Sequence, residues 1–238
     1  QALAMTMTGA AGETESQMRD ALDLGGNADR RNASLAALNL ALLDASSENG
    51  LEIAVANALW GHSGYSFREE FLSKTRKYFG APLMTVDYAG APDEALQRIN
   101  GWVAERTRGR IRDLILRDHI RPTTRLILTN AIHFKGLWTH AFEKDRTDSA
   151  DFHLAGGETA KVPMMRQSEH FRLVETDEAR SLVLPYRGGR LAMVVVLPAD
   201  GKDLASLEQA LTPERFAAWT TGGAKMEIDV ALPRFEME

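Results

Sequence analysis

Between Thr124 and Trp138, apolar residues alternate with small or polar ones, and this pattern constrains the fold more than any other stretch. Leu126, Leu128, Asn130, Ile132 and Phe134 share one phase, and Ile127, Thr129, Ala131, His133 and Lys135 the other. A period of two over that length predicts a long strand with one buried face. Asn130 puts an amide on the apolar phase, where an unpaired polar group costs roughly 1–3 kcal/mol, so a partner is expected. The opposite phase is small around Thr129 and Ala131, which predicts a neighbour lying close above it.

Ile53–Trp60 repeats the pattern: Ile53, Val55, Asn57 and Leu59 alternate with Ala54, Ala56, Ala58 and Trp60, again with an asparagine in the apolar phase. Before it, residues 2–11 predict a closely packed helix. Thr14-Glu15-Ser16-Gln17 predicts a capped helix start, and Ser34–Ala45 a third helix with Leu35, Leu38 and Leu42 on one stripe. Asn49-Gly50 then turns the chain. Ser66-Phe67-Arg68-Glu69 predicts a second capping box, with Phe67, Phe71, Thr75 and Tyr78 facing inward. Leu83–Tyr88 reads as a short strand. Pro92 opens a helix that runs to about Arg108 on Ala95, Ile99, Trp102 and Val103.

After the long strand the pattern is β. Strands are predicted at Trp138–Phe142, Ala150–Leu154, Ala160–Met165, Phe171–Thr176, Ser181–Tyr186 and Leu191–Leu197, with turns at Gly156-Gly157 and Gly188-Gly189. A helix over Leu204–Trp219, broken at Thr212-Pro213, precedes a strand at Lys225–Val230. Pro233 interrupts it, and Arg234–Glu238 restarts it. Helices early and strands late predict an α+β fold, and with no repeat or linker the expectation is one domain over 1–238. The chain starts in helical composition and stops within an alternating stretch, so it reads as a fragment of a longer protein.

The chemistry the sequence lacks narrows its function. Net charge is −5, which gives no general attraction to nucleic acid or to an anionic membrane. The longest apolar run, Leu191–Leu197, is far below spanning length. With no cysteine there are no disulfides or thiolate metal sites. His62, His119, His133, His140, His153 and His170 show no metal-protease spacing, and His133 reads as a solvated or hydrogen-bonded side chain on the open face of the strand. Gly61-His62-Ser63-Gly64 lacks the spacing of a serine nucleophile elbow. Arg98, Arg106, Arg108, Arg110, Arg112 and Arg117 read as a solvated basic face rather than a polyanion site. No catalytic, cofactor-binding or metal-ligating set emerges, and the expectation is that the chain is not an enzyme.

Asn130-Ala131-Ile132-His133-Phe134-Lys135-Gly136-Leu137-Trp138 resembles the signature strand of the serpins, Asn-Ala-Ile-Tyr-Phe-Lys-Gly-x-Trp. Further motifs resemble the same family in its own order. They are Gly9-Ala10-Ala11-Gly12-Glu13-Thr14, the strand at Ile53–Trp60, Gly64-Tyr65-Ser66-Phe67, and Ile99-Asn100-Gly101-Trp102-Val103 with Thr107-x-Gly109-x-Ile111. Val162-Pro163-Met164-Met165, Leu184-Pro185-Tyr186 and Val196-Leu197-Pro198 follow. The resemblance implies the serpin fold, incomplete here: a large mixed sheet A, smaller sheets B and C, and surrounding helices.

It also implies a mechanism. A target protease cleaves an exposed reactive loop and is caught as an acyl-enzyme while the loop inserts as a strand into sheet A, releasing strain stored in the native fold. By the same resemblance Thr124–Lys135 is one lip of the gap that receives the loop. Asn130 is the shutter asparagine beneath it, and Trp138 with Gly136 and Thr147 forms the breach where insertion begins. The helix at 92–108 would lie across the sheet and give way. His133 stands where the family usually has an aromatic residue.

The other lip, the shutter histidine and the reactive bond are expected outside this sequence, as are the first helix and the last strands. The implied partner is a serine, or in some cases a cysteine, protease. The implied protein is a monomer with no cofactor, no nucleic acid and no membrane attachment. The family favours an extracellular setting and leaves a cytoplasmic one open. A non-inhibitory carrier or chaperone with the same fold is the rival reading.

Overall fold

The computed structural model describes residues 1–45, 50–154 and 157–236. The turn expected at Asn49, the hairpin glycine Gly156 and the closing residues Met237 and Glu238 therefore lie outside the described residues. The contacts divide the chain into two compact units. One runs to Lys135; the other begins at Gly136 and includes Gly50 and Leu51.

The first unit holds α1 (Ala2–Met7), α2 (Gly12–Ala21), α3 (Ala28–Ala45), β1 (Leu51–His62), α4 (Glu69–Phe79), β2 (Leu83–Val86) and α5 (Pro92–Arg106). A 3-10 turn at Arg117–His119 follows, then β3 (Leu126–Gly136). The strand order is β2-β1-β3. β1 and β2 are parallel, with Leu59 opposite Leu83 and His62 opposite Val86. β1 and β3 run antiparallel: the His62 amide donates to the Arg125 carbonyl, while Glu52, ten residues earlier in β1, reaches Lys135 near the far end of β3. The sheet is therefore mixed.

Helices cover both faces of this sheet. On one, Leu59, Leu126 and Leu128 pack with Met5, Tyr78 and Phe79. On the other, Ala58 and Trp60 pack with Ala95 and Ile99 of α5, and Ala56 and Ala131 meet its Val103. The small residues let that helix lie close, as the alternation predicted. The expectation of a single buried face along β3 is corrected: Thr129 and Ala131 are the buried residues, while Ile132 and Phe134 of the apolar phase are 53% and 43% exposed. α5 and the segment after it cover the small phase over this length, whereas the helices opposite pack on Leu126 and Leu128.

Several helix starts move. α3 begins six residues before Ser34, because the Asn27 side-chain oxygen accepts from the Asp29 and Arg30 amides and caps it. On its expected stripe Leu35 packs inward, while Leu38 is 55% exposed. α2 starts at Gly12, with Thr14 already inside the helix rather than capping it. α4 starts at Glu69 without a side-chain cap, so neither Ser66 nor Phe67 plays its expected helical part. Phe67 instead lies against Gly61, where a Cβ would come 2.5 Å from its ring.

The second unit holds β4 (Thr147–His153), β5 (Thr159–Glu175), β6 (Ala179–Pro185), β7 (Ala192–Pro198), α6 (Leu204–Gln209), α7 (Pro213–Thr220) and β8 (Ala224–Pro233). These strands form one sheet, ordered β4-β5-β6-β7, with β8 also pairing β5. Two corrections apply. The strands expected at Ala160–Met165 and Phe171–Thr176 are one: the polar run from Arg166 to His170 looked like a loop, but pairs with Ala231 to Glu227 of β8. The strand expected at Trp138–Phe142 is reduced to a single bridge between Trp138 and Tyr186. The break at Thr212-Pro213 is real, because the Thr212 hydroxyl accepts from the Arg215 amide and starts α7 afresh.

Candidate functional site

The asparagine that the alternation singled out has a partner. Asn130 Nδ2 donates to Asn57 Oδ1 at 2.6 Å across the β1–β3 pair. Asn57, 6% exposed, donates in turn to the Phe79 carbonyl and to Gln1 Oε1, both at 3.1 Å. One amide pair thus ties β3 to β1, and β1 to the C-terminal end of α4. Each bond of this kind contributes about 1 kcal/mol net, and a buried group left unpaired costs more.

On the other face of the same strands the Trp60 indole donates to Thr129 Oγ1 at 3.1 Å, and the Tyr88 hydroxyl donates to the Trp60 carbonyl at 2.8 Å. Burial pushes the Tyr88 phenol well above its ordinary pKa. Trp102 of α5 meets Trp60 edge-on at 5.7 Å. The exit from α5 is bonded back onto the helix: Asn100 Nδ2 donates to the Ile115 carbonyl at 2.9 Å, and its Oδ1 accepts from the Ile115 amide at 3.0 Å. Thr107 Oγ1 accepts from the Ile111 amide at 3.1 Å.

His133 is not on an open face, as expected, but beside this exit. Its side chain is 15% exposed, and its Nε2 lies 4.0 Å from Glu52. The same carboxylate meets Arg108 at 3.4 Å and Lys135 at 3.5 Å. Three more arginines of the basic stretch also have separate local tasks. Arg98 donates to the Thr85 carbonyl, Arg112 to the Gly109 carbonyl, and Arg117 to Asp93 at 2.6 Å.

In the second unit Trp138 stacks on Tyr186, with ring centroids 4.6 Å apart and planes 13° from parallel, and meets Phe142 edge-on. Main-chain bonds fix that stack from both sides: the Thr139 amide donates to the Pro185 carbonyl, and the Arg187 amide to the Leu137 carbonyl. Burial raises the pKa of the Tyr186 phenol. Gly136 ends β3, two residues before the stack. Thr147 sits apart in sequence, opening β4 opposite Met165, with its hydroxyl donating to the Glu143 carbonyl at 3.5 Å. Of the four residues singled out, Asn130 belongs to the first unit, and Gly136, Trp138 and Thr147 to the second. The sequence reading did not place Asn57 in the site, although its position in an apolar phase was the same signal that marked Asn130.

The family model described as serpin (serine protease inhibitor) matches residues 1–238. An uncharacterised serpin-like protein of Thermococcus kodakarensis is 37% identical over 237 residues, covering 100% of this chain and 54% of that protein. The leukocyte elastase inhibitor of Bos taurus is 38% identical over 245 residues, covering 100% of this chain and 64% of that protein. Among solved structures, cleaved Serpin 42Da superposes with a TM-score of 0.83 at 34% identity, over 98% of this chain and 62% of that one. The chain thus spans between about half and two thirds of the length of these relatives.

Proposed function

The chain belongs to the serpin family, and on that premise we propose that the protein carrying it inhibits a serine-type endopeptidase by loop cleavage, acyl-enzyme trapping and strand insertion. The observation that carries the proposal is the agreement with the serpin family along residues 1–238, with a leukocyte elastase inhibitor among the relatives. Two further features support it. The Asn130–Asn57 pair joins β3 to β1 through one hydrogen bond between side chains, a contact that can break and re-form as the sheet opens. α5 lies directly across these strands, over Ala56, Ala58 and Ala131 beside Trp60, where an inserting strand would have to displace it.

In this reading Asn130 is the latch under the opening sheet, and Gly136, Trp138 and Thr147 mark where insertion starts. The partner is a serine protease, with a cysteine protease as the variant, and the inhibitor acts as a monomer.

The test mixes the whole protein with a panel of active serine proteases and with one whose nucleophilic serine is replaced. An active protease should give a complex that survives denaturing electrophoresis, and the replaced one should give none. Cleavage of the loop should raise the melting temperature. Cleavage without a covalent complex and without a rise in melting temperature would overturn the proposal and favour the non-inhibitory carrier or chaperone.

A further inference from the structure

The exit from α5 turns back through two residues in the left-handed region, Arg108 with φ of +53° and Gly109 with φ of +74°. The Arg108 amide donates to the Glu105 carbonyl at 3.2 Å, and the Gly109 amide to the Ala104 carbonyl at 2.7 Å. Glycine adopts that backbone freely, whereas an arginine is strained by it. Nothing in the turn itself calls for an arginine; the reason lies in its side chain. Arg108 Nη1 reaches Glu52 Oε2 at 3.4 Å, next to the first residue of β1. Lys135 Nζ of β3 meets the other oxygen at 3.5 Å, which leaves Oε2 to Arg108, and the half-buried ring of His133 lies beside the same carboxylate. The bonds from Asn100 to Ile115 and from Ile111 to Thr107 tie the exit to its own helix and would travel with it. The Arg108–Glu52 pair crosses instead from the exit to a strand of the sheet.

We propose that Glu52 and Arg108 are positioning residues that hold the exit of α5 on β1 and so set how fast an inserting strand displaces that helix. The effect on rate rests on the inhibitory reading above; the hold on the exit does not. When α5 lifts, the pair has to break, and the left-handed strain at Arg108 favours its release. Arg108 is 67% exposed, so the joint has the strength of a surface ion pair and changes a rate by a few-fold rather than by orders of magnitude.

The test uses the whole protein with Glu52→Gln, which keeps the shape of the side chain, and Arg108→Asn, which keeps a residue that tolerates the left-handed backbone. Each should speed hydrogen exchange at the Gly109, Arg110 and Ile111 amides about threefold, and the double variant should go no further than either single one. The first-order insertion step that follows acylation is read by energy transfer between a donor on the protease and an acceptor on the inhibitor. It should also quicken about threefold in both variants, and Arg108→Lys, which keeps the charge, should stay near the original rate. Raising salt from about 50 to about 500 mM should quicken the step in the original protein and leave it nearly constant in Glu52→Gln.

Unchanged exchange at those three amides in both variants would overturn the proposal, as would additive effects in the double variant. Faster exchange with an unchanged insertion step would keep the hold on the exit and overturn its control of the rate. The exchange arm is independent of protease trapping. A protein whose exchange responds as expected but which traps no protease would sink the inhibitory reading and keep the hold of Glu52 on the exit.

Discussion

Asn130→Ala removes the donor that Asn57 Oδ1 accepts from and leaves that oxygen without its partner. The expected loss is about 1–2 kcal/mol in urea denaturation, and Asn57→Ala should cost more, because it also releases the Phe79 carbonyl and Gln1. If the pair is a latch, Asn130→Ala should also polymerise faster on mild heating. Equal loss of stability in the native and loop-cleaved forms would reduce it to an ordinary hydrogen bond. Tyr88 supplies a pH test. Burial raises its folded-state pKa above the unfolded value, so its stabilising contribution is complete below about pH 10 and is lost as pH rises toward the folded value. Tyr88→Phe should therefore flatten the alkaline fall in melting temperature, while costing about 1 kcal/mol at neutral pH for the bond to the Trp60 carbonyl. An unchanged alkaline limb would assign that fall to other groups. Asn130 was legible because an amide in an apolar phase demands a partner. The Trp60–Thr129 bond was not, because it joins residues 69 positions apart through the face that read as merely small.

β8 depends on how tightly it leaves the turn at Gly222-Gly223. Gly223 has φ of +72°, and a Cβ there would come 2.2 Å from the Leu173 carbonyl oxygen of β5. Gly223→Ala should thus cost roughly 3 kcal/mol or more, since neither main chain can retreat without breaking the β5–β8 ladder. Hydrogen exchange would show the loss first in Ala224 to Ile228, and uniform exchange along β8 would contradict it. In α5 the two bonds between Asn100 and Ile115 predict that Asn100→Ala frees the exit segment, giving new proteolytic cuts between Arg108 and Arg121 at unchanged helix content. The sequence marked both elements from apolar spacing, which reports burial. It misplaced the starts of α2, α3 and α4 because the side chain that caps a helix, or its absence, is decided by one local bond and not by periodicity. It split β5 because pairing with β8 keeps a polar run extended, and no feature within the run reveals a partner some sixty residues later.

The family was readable from ordered motifs spread along the chain, whereas the proposed switch turns on a strand pairing with β3 on the side away from β1. An edge strand accepts any extended segment whose side chains alternate correctly, because the main chain supplies the bonds and the side chains only select the phase. Small residues are needed on the phase that faces α5, since Ala56 and Ala131 set how near that helix lies. The opposite phase can carry larger apolar groups, beside the exposed Ile132 and Phe134. A synthetic peptide of about twelve residues built to that rule should anneal to the intact protein, raise its melting temperature and abolish the protease complex that survives denaturation. The same peptide with its large residues moved to the α5 phase should do neither, because a one-residue change of phase turns every side chain to the wrong face. If both peptides act alike, the binding edge is not the one beside β3. If the first anneals and trapping continues, the incoming strand must pair elsewhere.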